Sequence, residues 1–470
     1  MKVVVAGAGM GGLSVALGLA QRGHTVTIVE PREVPGGLAA GFSAGGFDYD
    51  GGPYILLDRP GLAWAFGKLG LSLDALALAR VPHLYSVTFD DGKRVDFFAS
   101  LDETAETMGR AFGPEAGTRY RAFVGRMHAI HDRARPLLLQ SHPTPLDLLR
   151  SGSWRDAAFL LRPLGAALSA SGLPPAVIDA IAIWTHVAGQ TLGEAPAPMA
   201  FVPALIHHDG AWVPAQGIRA VPQAVAAAAR AAGVAFVAGR VARIRVERGT
   251  ARGLKLASGE DLDADVVVSG AHGIGTYLEL VDPEALPSRA RTSLRSLPLQ
   301  GPGVAAYLAI RRRETPKPPY LKFLLPSKQG ERCRALVEPG VMDPSIARDG
   351  EWPARLVVPL DHPVAERLDE PAQRERLESY LAEKWWREGV ESVRVVETRV
   401  PRTWGSSFLL HRDSMNPVMT QSFMRHGRIA HRSPWVKRLW LVGSSTHPGQ
   451  WVRFCAISGV LAAERIHAES

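Results

Sequence analysis

Residues 2–30 constrain the fold more tightly than any other stretch. A β-type run, Lys2-Val-Val-Val-Ala6, leads into Gly7-x-Gly9-x-x-Gly12; an alanine-rich stretch follows to about Arg22, and Thr25-Val-Thr-Ile-Val29 ends on Glu30. The order is strand, glycine turn, helix, strand, acid. Gly7 allows the sharp turn, Gly9 lets the backbone approach a pyrophosphate resting on the helix N-terminus, and Gly12 lets the helix pack close to the strand. Glu30, about 20 residues further on, is spaced to accept hydrogen bonds from a ribose hydroxyl. A bare G-x-G-x-x-G says little, but in this context it specifies a parallel α/β unit that binds a dinucleotide.

A chain of 470 residues is too long for one core, so two domains are expected. Hydrophobic residues at 46% and charged residues at 21% suit a globular protein. Cys333 and Cys455 lie far apart and give no disulfide framework. There is no His-Glu-x-x-His or Cys-x-x-Cys, so no metal site is expected. The net charge is +8, yet no zinc spacing, RNA or DNA module or aromatic-basic patch accompanies it, which argues against nucleic acid. No uninterrupted apolar run reaches a membrane-spanning length, and no charged n-region with a cleavable apolar stretch stands at the start. The expected location is therefore cytoplasmic.

Further motifs extend the first. Pro35-Gly36-Gly37-Leu38 and Asp50-Gly51-Gly52-Pro53 follow Glu30, and Trp212-Val-Pro-Ala-Gln-Gly217 precedes a helical stretch. Downstream, Arg438-Leu-Trp-Leu-Val442 reads as a strand that runs into Gly443-Ser-Ser-Thr446-His447-Pro448-Gly449 and an apolar, small-residue helix. This set resembles the FAD-dependent amine oxidase superfamily, and within it the phytoene (carotenoid) desaturase branch. The resemblance implies an α/β fold, a Rossmann-type FAD-binding domain with an inserted α+β substrate domain. It implies FAD bound along Gly7, Gly9, Gly11, Gly12, Glu30, Gly36, Gly37 and Leu38, with Val241 on the adenine side. Gly443, Trp451 and Val452 would then lie at the flavin end.

On this reading the FAD-binding domain is discontinuous, at 1–80, 210–275 and 425–470, and 81–209 with 276–424 form a substrate domain that also faces a membrane. Alternation around Asp90-Asp-Gly92-Lys93 predicts a β-hairpin, and Ser100-Leu-Asp-Glu103 predicts a capped helix start. From there to about Ile206 the chain reads as helical, broken at Pro143, Pro145, Pro163 and Pro174-Pro175. Strands are expected near Val304–Ile310, Arg355–Leu360 and Val393–Val400, and Arg311-Arg-Arg313 reads as a solvated loop. The stretch Trp154–Leu168 reads as a core-facing helix or as an amphipathic element resting on a membrane.

The resemblance also implies chemistry: hydride transfer from an apolar isoprenoid to flavin N5. Gly270-x-x-Gly273-x-Gly275 has the wrong spacing for a second nucleotide fingerprint, so electrons would leave to oxygen or a quinone. Trp184, Trp212, Trp404, Phe408 and Trp451 are candidates for an apolar tunnel. Glu194, His207, His208 and Asp209 are candidates for moving a proton, with Glu194 and His208 foremost, although such a run also suits a solvated turn. Two departures stand out. The expected glycine pair after Trp212 is Gln216-Gly217, and the expected small residues after Thr446-His-Pro-Gly449 are Gln450-Trp451-Val452-Arg453-Phe454. Arg453 would either raise the flavin potential by its fixed charge or pair with a nearby acid. A redox-neutral isomerase or saturase, or a non-catalytic FAD-binding lipid carrier, fits the same frame.

Overall fold

Lys2–Ala6 lies at the centre of a five-stranded parallel sheet. The structure, a computed structural model, describes residues 1–327 and 330–470. The strand order across the sheet is Ala235–Ala238, Thr25–Glu30, Lys2–Ala6, Val266–Ser269 and Leu439–Leu441. Val3, Val4 and Val5 are all buried, as a strand covered on both faces requires. On one face Val3, Val5, Ile28 and Val268 pack beneath the helices Met10–Ala20, Ala220–Ala231 and Val452–Ala468. On the other, Val4, Ala6, Val29 and Val267 meet Ile244, Leu254 and Leu256 of an antiparallel meander, Val241–Glu247, Thr250–Leu256 and Asp261–Asp263.

The first and last helices touch through glycine. A Cβ on Gly459 would stand 2.5 Å from the Gly11 carbonyl oxygen, and one on Gly11 would stand 2.7 Å from the Gly443 backbone. Gly12 is closer still to its own turn, with a hypothetical Cβ 2.1 Å from the Gly7 oxygen.

The second half is a seven-stranded sheet in the order Val390–Arg399, Val304–Arg312, Trp352–Val358, Arg334–Val337, Leu321–Leu325, His83–Phe89 and Arg94–Phe98. All pairs are antiparallel except Leu321–Leu325 beside His83–Phe89. Strands from both excursions out of the parallel sheet thus meet in one layer. Helices Leu101–Phe112, Pro114–Leu138 and Pro175–Val187 cover it, and Tyr85, Phe97, Tyr120, Trp184 and Phe323 fill the space between. Ser100 caps the first of these helices, accepting from the Glu103 amide at 3.2 Å.

Three expectations change. Leu321–Leu325 and Arg334–Val337 are strands that the sequence pattern did not announce. Arg311 and Arg312 belong to a strand, and Arg312 forms an ion pair with Glu338 at 2.6 Å, both side chains being largely buried. Trp154–Leu168 is not one helix. It consists of a 3-10 turn, Ser153–Asp156, and two short helices, Ala157–Leu160 and Leu164–Ser169, separated at Pro163. Phe159, Leu164 and Leu168 are buried, while Trp154 and Leu161 face outward.

Candidate functional site

A cavity of about 790 Å³ opens at the carboxyl ends of the parallel strands. Its floor is the glycine turn. Beside Gly9 a Cβ would meet nothing within 4 Å, so the space there belongs to the cavity. The helix Met10–Ala20 starts at this point and presents its free amides. Glu30 is braced from both sides, its Oε2 accepting from the Ala8 amide at 2.7 Å and its Oε1 from the Arg32 amide at 3.1 Å. Gly36 donates its amide to the Ala8 carbonyl at 2.8 Å, which lays the second glycine pair against the first turn.

Gly7, Gly9, Gly11, Glu30, Gly36, Gly37, Leu38, Val241, Gly443 and Val452 all border this cavity. Gly12 and Trp451 do not. Gly12 is buried between helix and strand, and Trp451 faces the helical insertion, stacked on Phe454 at 5.7 Å. The first turn of the helix Val452–Ala468 sorts its neighbours by side. Gln450, Val452 and Cys455 line the cavity, while Trp451, Arg453 and Phe454 do not. Burial pushes the Cys455 thiol up to about 12, so it is a neutral wall.

Arg453 is therefore corrected. It is 4% exposed, its Nε stands 2.6 Å from Asp58 Oδ2, and its Nη1 donates to the Leu57 carbonyl at 3.0 Å. Burial brings the guanidinium down to about 10 against the pull of Asp58, and its carbon lies over the Trp451 and Phe454 rings at 4.4 and 4.1 Å. Its charge is neutralised by Asp58, away from the cavity. Glu194 and His208 are corrected too. Both are exposed and neither borders the cavity. Glu194 accepts from Thr191 Oγ1 at 2.9 Å, and His208 stacks on His128 at 3.7 Å. His207 is buried against the Tyr120 hydroxyl at 2.8 Å, where burial lowers it to about 4. Asp209 pairs with Arg135 at 3.0 Å.

The aromatic candidates divide. Trp184 is core, edge-on to Tyr85 and Phe323. The Trp212 indole donates to the Asp209 carbonyl at 2.8 Å, and Trp404 stacks on Phe408 at 5.0 Å. Phe408 borders the same cavity, beneath the Arg32 guanidinium at 4.1 Å, rather than a separate tunnel. Among the cavity residues that the sequence did not assign to it are Arg32, Arg240, Asn416 and Gln450. Arg32 had a signal in its place two residues after Glu30, and Gln450 in its departure from a small-residue pattern. Asn416 had none.

The set fits a dinucleotide. Helix amides with Arg32 and Arg240 suit an anion, and Glu30 suits a hydroxyl. The buried oxygens Asn416 Oδ1 and Gln450 Oε1 have no hydrogen-bond partner among the described residues.

Comparison with known proteins agrees. Residues 10–467 match the family model described as flavin containing amine oxidoreductase. The chain is 28% identical to a zeta-carotene-forming phytoene desaturase of Myxococcus xanthus, over 99% of this chain and 93% of that one. It is 25% identical to a lycopene-forming phytoene desaturase of Pseudescherichia vulneris, over 99% and 98%. The crystal structure of an oxidoreductase from Methanosarcina mazei shares the fold with a TM-score of 0.64 at 18% identity, covering 99% of this chain and 100% of that one.

Two outcomes are expected. Gly9→Val folds, because its side chain has room, but purifies without flavin, whereas Gly12→Val, driven into the Gly7 carbonyl, is lost to misfolding. Flavin absorbance per protein and the melting temperature separate the two, and a full flavin complement in folded Gly9→Val would refute the assignment. Arg453→Gln strands the Asp58 charge and costs about 3–5 kcal/mol of stability. Its flavin midpoint potential stays near the wild-type value; a lowered potential with unchanged stability would return the arginine charge to the flavin.

Proposed function

This chain belongs to the flavin-containing amine oxidoreductase family, and on that premise we propose that it is an FAD-dependent desaturase of an apolar, carotenoid-like isoprenoid. The observation that carries the reading is the cavity itself: the N-terminal glycine turn and the C-terminal helix start border one space, in a chain similar along its whole length to phytoene desaturases. On this reading the parallel sheet and its helices are a Rossmann-type FAD-binding domain at 1–80, 210–275 and 425–470. Residues 81–209 and 276–424 form the substrate domain.

Bound FAD supplies a two-electron acceptor for a hydride leaving an unactivated allylic C–H. The chain's part is to hold, orient and exclude water. The helix amides and Arg32 hold the pyrophosphate, Glu30 the ribose, and Val452 with the neutral Cys455 gives the flavin end an apolar wall. The neighbouring carbon also loses a proton, and neither Glu194 nor His208 borders the cavity to take it. Oxygen or a quinone takes the electrons.

A lipid substrate has to come from a membrane. Among the described residues no helix is long and apolar enough to cross one. Of the seven exposed large hydrophobic side chains among the described residues, Leu146, Leu149, Trp154 and Leu161 fall in one short stretch that also carries the exposed Arg150, Arg155 and Arg162. Apolar side chains seated at the lipid boundary, with basic residues worth about 1 kcal/mol each near anionic headgroups, give peripheral binding.

Anaerobic addition of a phytoene-type polyene in micelles is expected to bleach the flavin and yield a product absorbing at longer wavelength. Conversion of the polyene only by the reduced flavin, with no net change in the flavin's redox state, would instead indicate a redox-neutral isomerase. Leu149→Glu with Trp154→Glu is expected to abolish flotation on anionic liposomes at low salt while leaving FAD content unchanged. Flotation equal to that of the wild type would remove this patch from the membrane reading.

A further inference from the structure

Asn416 is 6% exposed and borders the cavity, and its Oδ1 has no hydrogen-bond partner among the described residues. A buried carbonyl oxygen left unmet is uncommon enough to need a reason. The backbone around it is fixed. The short strand Asn416–Pro417 pairs with Leu299–Gln300, the Met415 amide donates to the Gln300 carbonyl at 3.0 Å, and Ser414 Oγ donates to the Asn416 carbonyl at 3.1 Å. Gln300 in turn donates to the Val187 carbonyl at 2.9 Å, which ties this strand to the helical insertion.

The position of the segment says which part of a dinucleotide it meets. Ser414 Oγ lies 3.5 Å from Nε2 of His272, just past the strand Val266–Ser269. Next to His272, the Gly273 amide donates to Ser445 Oγ at 3.0 Å, in the segment after Leu439–Leu441. Residues 414–416 therefore lie near the carboxyl ends of the last two strands of the parallel sheet, on the other side of Lys2–Ala6 from Thr25–Glu30. That is the flavin side of the site.

A carboxamide presents an acceptor and a donor side by side. The imide edge of an isoalloxazine, with N3–H between two carbonyls, presents the complementary pair. We propose that the Asn416 side chain reads this edge, its oxygen accepting from N3–H and its nitrogen donating to an adjacent ring carbonyl. The inference rests on the reading of the cavity as the FAD site.

Two probes test it. The wild-type apoprotein should bind 3-methyl-FAD, in which the N3 donor is blocked, about tenfold more weakly than FAD. Asn416→Leu should bind FAD about tenfold more weakly than the wild type, should no longer distinguish FAD from 3-methyl-FAD, and should bind ADP-ribose as the wild type does. Asn416→Asp should hold FAD with a lowered midpoint potential, because a negative charge beside the ring opposes the anionic reduced form. Equal wild-type affinity for FAD and its 3-methyl analogue would overturn the proposal without touching the FAD site. So would a loss of ADP-ribose affinity in Asn416→Leu as large as its loss of FAD affinity. A wild-type protein that binds neither dinucleotide would instead sink the FAD reading.

Discussion

The close approach of the first and last helices is the constraint on which the rest of the molecule depends. Gly11 and Gly459 leave the helices Met10–Ala20 and Val452–Ala468 no room for side chains between their backbones. Contact of this kind rests on dispersion and shape, and each atom pair contributes only on the order of 0.1–0.2 kcal/mol. Its structural effect is larger than its energy. It holds Gly443 and the start of the closing helix over the glycine turn, so the cavity has walls from both ends of the chain. Everything between them, including a complete second sheet, is accommodated as excursions from that frame.

Two ion pairs, one in each half, stand close enough for their charges to act on one another. Arg453, from the closing helix, meets Asp58, and both are almost fully buried. Arg135, from the helical insertion, meets Asp209 nearby, and the charges of Arg453 and Arg135 act together to hold His131 down to about 3, after burial itself. Such pairs bring little net stability compared with apolar side chains of the same volume, because desolvation offsets their attraction. They tolerate only one geometry, which suits a boundary across which an apolar molecule has to be aligned with a cofactor.

What could be read from the sequence follows from the range of the forces involved. The strand-turn-helix-strand unit at 2–30 is local, and its glycines and acid carry their roles in their spacing. The hairpin around Gly92 and the cap at Ser100 were legible for the same reason. Arg453 was harder. Its neighbours Val452 and Cys455 face the cavity, but the phase of a helix about its axis depends on how the preceding loop enters, and tertiary packing sets that. Trp154–Leu168 has helix-like spacing that Pro163 interrupts. Asn416 became a cavity residue only through its pairing with Gln300 and the tie of Ser414 to the distant His272. No local pattern encodes contacts over such separations, and the strands Leu321–Leu325 and Arg334–Val337 were missed for the same reason.

The half-buried place of Cys455 in the cavity wall bears on durability. Desolvation pushes the thiol up to about 12, so it stands protonated at neutral pH. Oxidation to sulfenic acid proceeds through the thiolate. Sulfur can therefore stand in the cavity wall as an inert apolar group, protected by the same desolvation that packs it there.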